Sequence, residues 1–320
     1  MIIVLRPQPG ATLGKELVLR FEASEFSPKP FLMTAAMVIA GAMPFCASTG
    51  LGQILPNSPA PQWVTVLFGN NNFPDPSSDQ QTGSAEADIV GNRDHPSLYK
   101  RYNDGGFGSP TNGYLAFRLR LGADLTPPDY LGAALVGMDA NLDGRLDLFI
   151  GVNNQGSGNH VGLWNPGNGL NLSPSTTSIV SPATVSYPET GSTYGFTAVD
   201  STIDPPALSF DLNGDGLTDQ FLSFVVPFAD VVAALAAHGI AGFTRDTPMR
   251  LVAATATQDN SLNQDLIGVA GGVNSTTPWE QLGALTEIYS VSSQGPVPEP
   301  TIMALFGVAV VGFLIRRGRR

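Results

Sequence analysis

Two nine-residue stretches of this chain hold the residue types that bind a hard cation. Asp139, Asn141, Asp143, Gly144, Arg145 and Asp147 stand at the first, third, fifth, sixth, seventh and ninth positions of one stretch. Asp211, Asn213, Asp215, Gly216, Leu217 and Asp219 stand at the same positions of the other. Calcium takes about six to eight oxygen ligands and accepts carboxylates, amide oxygens, backbone carbonyls and water. Side-chain oxygens at positions one, three and five, the carbonyl of Arg145 or Leu217 at seven and a carboxylate at nine would wrap one ion, and glycine at six permits the sharp turn. The competing reading is a plain turn, since Asp and Asn favour turns by bonding their own backbone. Three carboxylates in nine residues would then repel one another with no lysine beside them in sequence. The spacing, repeated twice, favours two structural calcium sites, the second better formed because Gly214 frees its backbone and no arginine stands at its seventh position.

The pattern D-x-N-x-D-G-x-x-D resembles the calcium loops of EF-hands, dockerins and FG-GAP repeats. Neither stretch has the glutamate expected at position twelve, where Ile150 and Leu222 stand, so the ninth-position aspartate is the expected closing ligand. Asp143 to Val152 followed by Val161-Gly-Leu-Trp164 also resembles one blade of an FG-GAP propeller. A propeller needs at least about four blades, and only two loops occur, 72 positions apart. One domain with two calcium-tied loops is therefore expected.

No other constellation reaches a recognised chemistry. His95, His160 and His238 lack metal spacing and a partner pattern and read as surface or capping histidines. No G-x-S-x-G elbow surrounds Ser275, and Gly105-Gly106-Phe107-Gly108 reads as a loop, not a phosphate cradle. Trp63, Trp164 and Trp279, with Tyr99, Tyr102 and Tyr114, could stack on sugars, but aromatic residues in a β domain pack into the core by default. The chain is not expected to be an enzyme.

The elements that must hold the loops are strands. From Gly113 to Leu121 apolar residues alternate with Arg118 and Arg120, which predicts a half-buried strand with both arginines in solvent. Further strands are expected over 63–68, 146–152, 221–226, 250–256 and 285–291, separated by Gly, Pro, Asn and Asp. An alanine-rich helix is expected from Asp230, as its N-cap, to His238, closed by Gly239. A second, short one should begin at Thr277-Pro278-Trp279-Glu280. The expected fold is mainly β: a single sandwich-like extracellular domain over residues 49–296 with one or two short helices.

Both ends of the chain lie outside that fold. Lys29, an apolar run from Phe31 to Pro44 and small residues Cys46, Ala47 and Ser48 have the shape of a secretory signal, so residues 1–48 are expected to be a leader region. Mixed charge ahead of the run places the expected translation start inside this segment. Between residues 49 and 296, 23 acids face 8 Lys and Arg, a net charge of −15, which excludes nucleic-acid binding by charge. The one cysteine sits in the leader, so the body has no internal disulfide to form, and calcium is the expected substitute.

At the far end, Val297, Pro298, Glu299 and Pro300 precede fourteen uncharged residues, 302–315, and then Arg316, Arg317, Gly318, Arg319 and Arg320. Fourteen helical residues span roughly 21 Å, short of the ~30 Å hydrocarbon core, which suits a temporary anchor over 302–315. The arginines should stay cytoplasmic, leaving everything before Val297 on the other side. The tail, 297–320, resembles the PEP-CTERM sorting signal of Gram-negative bacteria. That resemblance implies transient anchoring in the inner membrane, cleavage near Pro-Glu-Pro by an exosortase, and delivery to the cell surface or beyond. It also implies the exopolysaccharide of a biofilm as neighbouring material. Two roles follow as expectations: a non-enzymatic surface or matrix protein, or a calcium-dependent carbohydrate-binding module.

Overall fold

The computed structural model describes residues 54–297 apart from 60–61, 69–70, 73–74, 76–79, 81–82, 128, 156–157, 167–178, 201, 203–209, 260–261, 263 and 268–285. The expected leader over 1–48, the second helix at 277–280 and the anchor over 302–315 lie outside the described residues. Among those described, no helix is long and apolar enough to cross a membrane.

Thirteen strands, one α-helix and a short 3-10 turn at Ala85–Ala87 are described. In chain order the strands are β1 (Val64–Thr65), β2 (Leu67–Phe68), β3 (Asn71–Asn72), β4 (Leu98–Asn103), β5 (Tyr114–Leu121), β6 (Ala133–Asp139) and β7 (Leu148–Asn153). They continue as β8 (His160–Pro166), β9 (Ile179–Pro188), β10 (Tyr194–Ala198), β11 (Gln220–Pro227), then helix α1 (Phe228–Ala237), β12 (Arg250–Ala256) and β13 (Asp265–Ile267). A five-stranded sheet runs β1-β4-β5-β11-β10 and a six-stranded sheet runs β13-β12-β6-β7-β8-β9, while β2 and β3 form a small pair of their own. Every pairing in the two large sheets is antiparallel.

One apolar cluster draws on both sheets. Leu115, Phe117, Leu119 and Leu121 of β5 and Leu222, Phe224 and Val226 of β11 meet Val136 and Met138 of β6, Leu148, Ile150 and Val152 of β7 and Leu251 of β12. The period-two alternation of each strand puts these residues on one face, so the shared cluster is what a sandwich-like arrangement requires.

The other face of β5 departs from expectation. Arg118 and Arg120 are buried, not solvated. Pro56, Ser58 and Trp63 lie over Arg118: its Nη2 donates to the carbonyls of Pro56 at 2.6 Å and Ser58 at 2.8 Å, and its guanidinium centre sits 4.2 Å from the Trp63 ring and 4.9 Å from Phe221. A flat, weakly hydrated guanidinium tolerates burial between rings when its N–H groups find carbonyls. Alternation alone reports two faces, not what covers the second.

Smaller differences have local causes. The expected strand over 63–68 is interrupted at Val66, whose amide bonds to Leu98. Over 285–291 the described residues contain only the isolated bridge between Tyr289 and Met249. The helix begins at Phe228, two residues before Asp230, with Pro227 in the N-cap position and no side-chain cap. Asp230 instead accepts a 2.6 Å bond from the Tyr187 hydroxyl. Phe228, Val231 and Leu235 form its buried stripe, and Gly239, at φ +89°, ends it where a left-handed residue was expected.

Candidate metal loops and the sorting tail

Both nine-residue stretches fold as tight loops against strand ends. The first joins β6 to β7, with Asp139 the last residue of β6. The second runs directly into β11, with Asp219 one residue before it. Each loop is pinched shut by the same backbone bond, the ninth-position amide to the carbonyl just ahead of the first position: Asp147 to Met138 and Asp219 to Phe210, both 2.7 Å. Strands and not helices flank the first loop, as the expected strand over 146–152 suggested.

The side-chain bonds inside the loops also correspond position by position. Asp139 accepts the amides of Asp143 at 3.2 Å and Gly144 at 3.0 Å. Asp211 accepts those of Gly214 at 2.7 Å, Asp215 at 3.2 Å and Gly216 at 2.9 Å. Asn141 takes the Asp143 amide and Asn213 the Asp215 amide; Asp143 takes the amide of Arg145 and Asp215 that of Leu217. The ninth-position carboxylate reaches back to the second-position amide in each: Asp147 to Ala140 at 2.7 Å, Asp219 to Leu212 at 3.2 Å. Positions four and six are left-handed in both, at Leu142 and Gly144 and at Gly214 and Gly216. The repeated spacing therefore encodes a repeated backbone.

The electrostatic surroundings differ. Burial raises the Asp139 carboxyl to about 6, helped by the charges of Asp147 and Asp143 and opposed by the Gly144 amide. Burial likewise lifts Asp147 to about 6. No basic side chain among the described residues pairs with Asp139, Asp143 or Asp147. In the second loop, the Nε and Nη2 of Arg120 both donate to Asp219 Oδ2 at 2.7 Å, and both side chains are fully buried. Burial raises Asp219 to about 6 while Arg120 opposes the rise. The neutralising cation missing from the local sequence is thus supplied to this loop from β5, 99 positions away.

The donor chemistry suits calcium, because an oxygen bonded to one amide keeps a lone pair for a cation. The arrangement is not a closed cage: among the described residues no group of three or more His, Cys, Asp or Glu side chains is gathered around one point. Asn141, Asp143, Arg145, Asp215 and Leu217 lie at the surface, and Asp139 and Asp219 underneath. Holding an ion would require the outer carboxylates to rotate inward.

The remaining candidates are placed as follows. Trp63 and Trp164 are buried; the Trp63 indole N–H donates to Ser58 and that of Trp164 to Asp259 at 3.0 Å. Trp279 lies outside the described residues. His238 sits at the C-cap of α1 as expected of a capping residue, His95 is buried in a turn held by Asn92, and the His160 ring lies 5.7 Å from that of Trp164. The strongest feature that sequence reasoning missed is the Arg120–Asp219 pair, for which an arginine on an alternating strand gives no signal of its own.

Of the expected sorting residues, Val297 is described and is tied to the fold, its amide donating to the Ile288 carbonyl at 2.7 Å. Pro298, Glu299, Pro300, Arg316, Arg317, Arg319 and Arg320 lie outside the described residues. Residues 296–320 match the family model of the PEP-CTERM protein-sorting motif. That motif implies export, membrane-anchored sorting and processing by an exosortase-type enzyme. No match was found to a curated protein or to a solved structure.

Proposed function

We propose that this chain is an exported β protein held at the inner membrane by its C-terminal tail, released by an exosortase-type enzyme, and stationed at the cell surface or in the extracellular matrix with a structural, non-enzymatic role. The carrying observation is the sorting motif at residues 296–320, which begins where the described fold ends. Mass spectrometry of extracellular material from a host that processes such tails tests it. A product ending near Pro300 is expected, and recovery of mature surface protein with Arg320 intact overturns processing.

Within this reading the body is a sandwich-like domain whose two loops take calcium as a structural ion. The matching hydrogen-bond patterns and the crowding of unpaired carboxylates around Asp139 support it, since a divalent cation would relieve that repulsion. Calcium at ten millimolar should raise the melting temperature of the released protein, a contribution on the order of 1 to 3 kcal/mol per site for a Kd of about 10⁻⁴ to 10⁻³ M. Magnesium should do much less. A melting curve indifferent to calcium and chelator returns both loops to plain turns.

The structural role is favoured over calcium-dependent carbohydrate binding by the burial of Trp63 and Trp164, which leaves neither indole free to stack on a sugar. Exopolysaccharide remains the proposed surroundings. A glycan array probed with and without calcium separates the two roles, and calcium-dependent binding to one glycan class would reverse the preference.

A further inference from the structure

The described fold continues without a spacer to the residue that precedes Pro298-Glu299-Pro300. Residues 286–297 form a strap that runs from the start of β12 in one sheet to β1 and β4 of the other. On the six-stranded side, Thr286 Oγ1 accepts the Leu251 amide at 2.8 Å, and Tyr289 exchanges backbone bonds of 2.7 and 2.9 Å with Met249. On the other side, the fully buried Tyr289 passes its hydroxyl between the Thr65 carbonyl, to which it donates, and the Leu67 amide, from which it accepts at 2.6 Å.

The middle of the strap is held by a buried lysine. Lys100 of β4 donates through Nζ to the carbonyls of Val291 at 3.3 Å and Ser293 at 2.5 Å, and lies 5.4 Å from the Tyr289 ring centre. Desolvation lowers its pKa to about 7, and either protonation state can donate to a carbonyl. The chain then folds back so that the Val297 amide bonds to Ile288.

This geometry leaves a processing enzyme little chain to grip. A peptide bond within Pro-Glu-Pro can enter an extended cleft only with residues from both sides, and those on the N-terminal side are the bonded ones. From Val297 to the expected start of the apolar run at Ile302 there are five residues, a reach of at most about 18 Å. Proteolysis of a folded substrate follows the population of its locally opened form when opening is fast.

We propose that the strap governs the rate of tail processing: the sorting enzyme reaches the residues ahead of Pro298 only when 291–297 peel away from Lys100 and Ile288. The proposal rests on the exosortase reading above. It makes release of the protein sensitive to the local stability of its own last segment, with Lys100 and Tyr289 acting as positioning residues.

The test follows the full chain by pulse-chase in an exosortase-bearing host, comparing the processed fraction over time. A six-residue Gly-Ser insertion between Val297 and Pro298 should speed processing by about fivefold or more, the factor carried by one net hydrogen bond. Lys100→Met and Tyr289→Phe, which leave the chain length unchanged, should act in the same direction and should speed amide exchange of residues 291–297. Acceleration by the insertion alone, with both folded point variants processed at the wild-type rate, would show that distance from the membrane is limiting and would overturn the strap. So would an insertion without effect. If the wild type is not processed, or Glu299→Ala is processed equally well, the sorting reading fails and the strap proposal with it. Tyr289→Phe deletes only a hydroxyl and keeps the test decisive should Lys100→Met not fold.

Discussion

The loop after β6 and the loop before β11 share a nine-residue pattern and a hydrogen-bond pattern, yet among the described residues only the second has a cationic partner. In the first, Asp139 and Asp147 are lifted to about 6 by burial with no cationic partner among the described residues. In the second, the closing Asp219 meets Arg120 at 2.7 Å in full burial. Local spacing dictates backbone shape because the Asx side chains at positions one, three and five bond amides two to five residues on, and the ninth-position aspartate bonds the amide seven residues back. It does not dictate charge compensation, which came to one loop from a strand distant in sequence and, among the described residues, did not come to the other. The expectation that the second loop is the better calcium site was built on local features alone. With Asp219 already neutralised, we propose the first as the stronger of the two.

The largest expected effect separates the loops by that ion pair. Arg120→Met leaves Asp219 buried without its partner and should cost about 3 to 5 kcal/mol, the usual range for breaking a buried pair from one side. Asp147→Asn keeps an oxygen for the Ala140 amide and removes a charge that lacks a counter-charge, so it should cost less than about 1 kcal/mol in chelator. Denaturant midpoints measure both. Similar losses for the two variants would erase the distinction.

Calcium should sharpen the comparison next. Asp143→Ala should remove more of the calcium-dependent rise in melting temperature than Asp215→Ala, within a total on the order of 1 to 3 kcal/mol per site. The reverse order would mean that Arg120 moves aside when the ion enters.

The pH dependence in chelator gives a third handle. The unfolded carboxyls titrate near 3.8, whereas Asp139 and Asp147 titrate near 6 in the fold, so between these values the native state holds more protons. Stability should therefore be highest at the acid end of this window and fall as pH rises through 6. Converting Asp139 and Asp147 to Asn should reduce that fall to the part carried by Asp219 and Glu189, which burial raises to about 6 and about 7, and calcium should reduce it in the wild type. Lys100 acts in a separate window: its pKa is lowered from 10.5 to about 7, the unfolded state binds more protons between those values, and its contribution makes stability climb with pH there.

These expectations mark what the residues disclosed and what they withheld. β12 was legible to the residue, because Arg250–Ala256 is a clean run bounded by turns, and β5 and β11 nearly so. β8 and β9 escaped notice because glycines and prolines interrupt their alternation and a register shift falls between Leu163 and Asn165. The burial of Arg118 was invisible for a different reason: its cover comes from Pro56, Ser58 and Trp63, and nothing in an alternating strand records which distant residues will lie on it. The loops were legible as turns, since their bonds are local. The sorting tail was legible from residue types alone and coincides with the motif match at 296–320. The strap was not, because its partners Met249, Lys100 and Thr65 are scattered along the chain.

The smallest expected effect tests whether the backbones of the two loops are as equivalent as their bonds. Position four is left-handed in both, but it is Leu142 at φ +62° in one and Gly214 at φ +74° in the other. A side chain in that region costs about 1 to 2 kcal/mol, partly offset because glycine loses more conformational freedom on folding. A Cβ built at Gly214 would meet nothing within 4 Å, so Gly214→Leu should pay only the backbone term, a net loss of about 1 kcal/mol or less. Leu142→Gly should give a gain of similar size. Opposite signs for the two exchanges, read from urea midpoints in chelator, establish backbone strain as the difference. If both exchanges destabilise, the half-buried Leu142 side chain contributes packing that outweighs its strain, and the first loop is held by its leucine as well as by its aspartates.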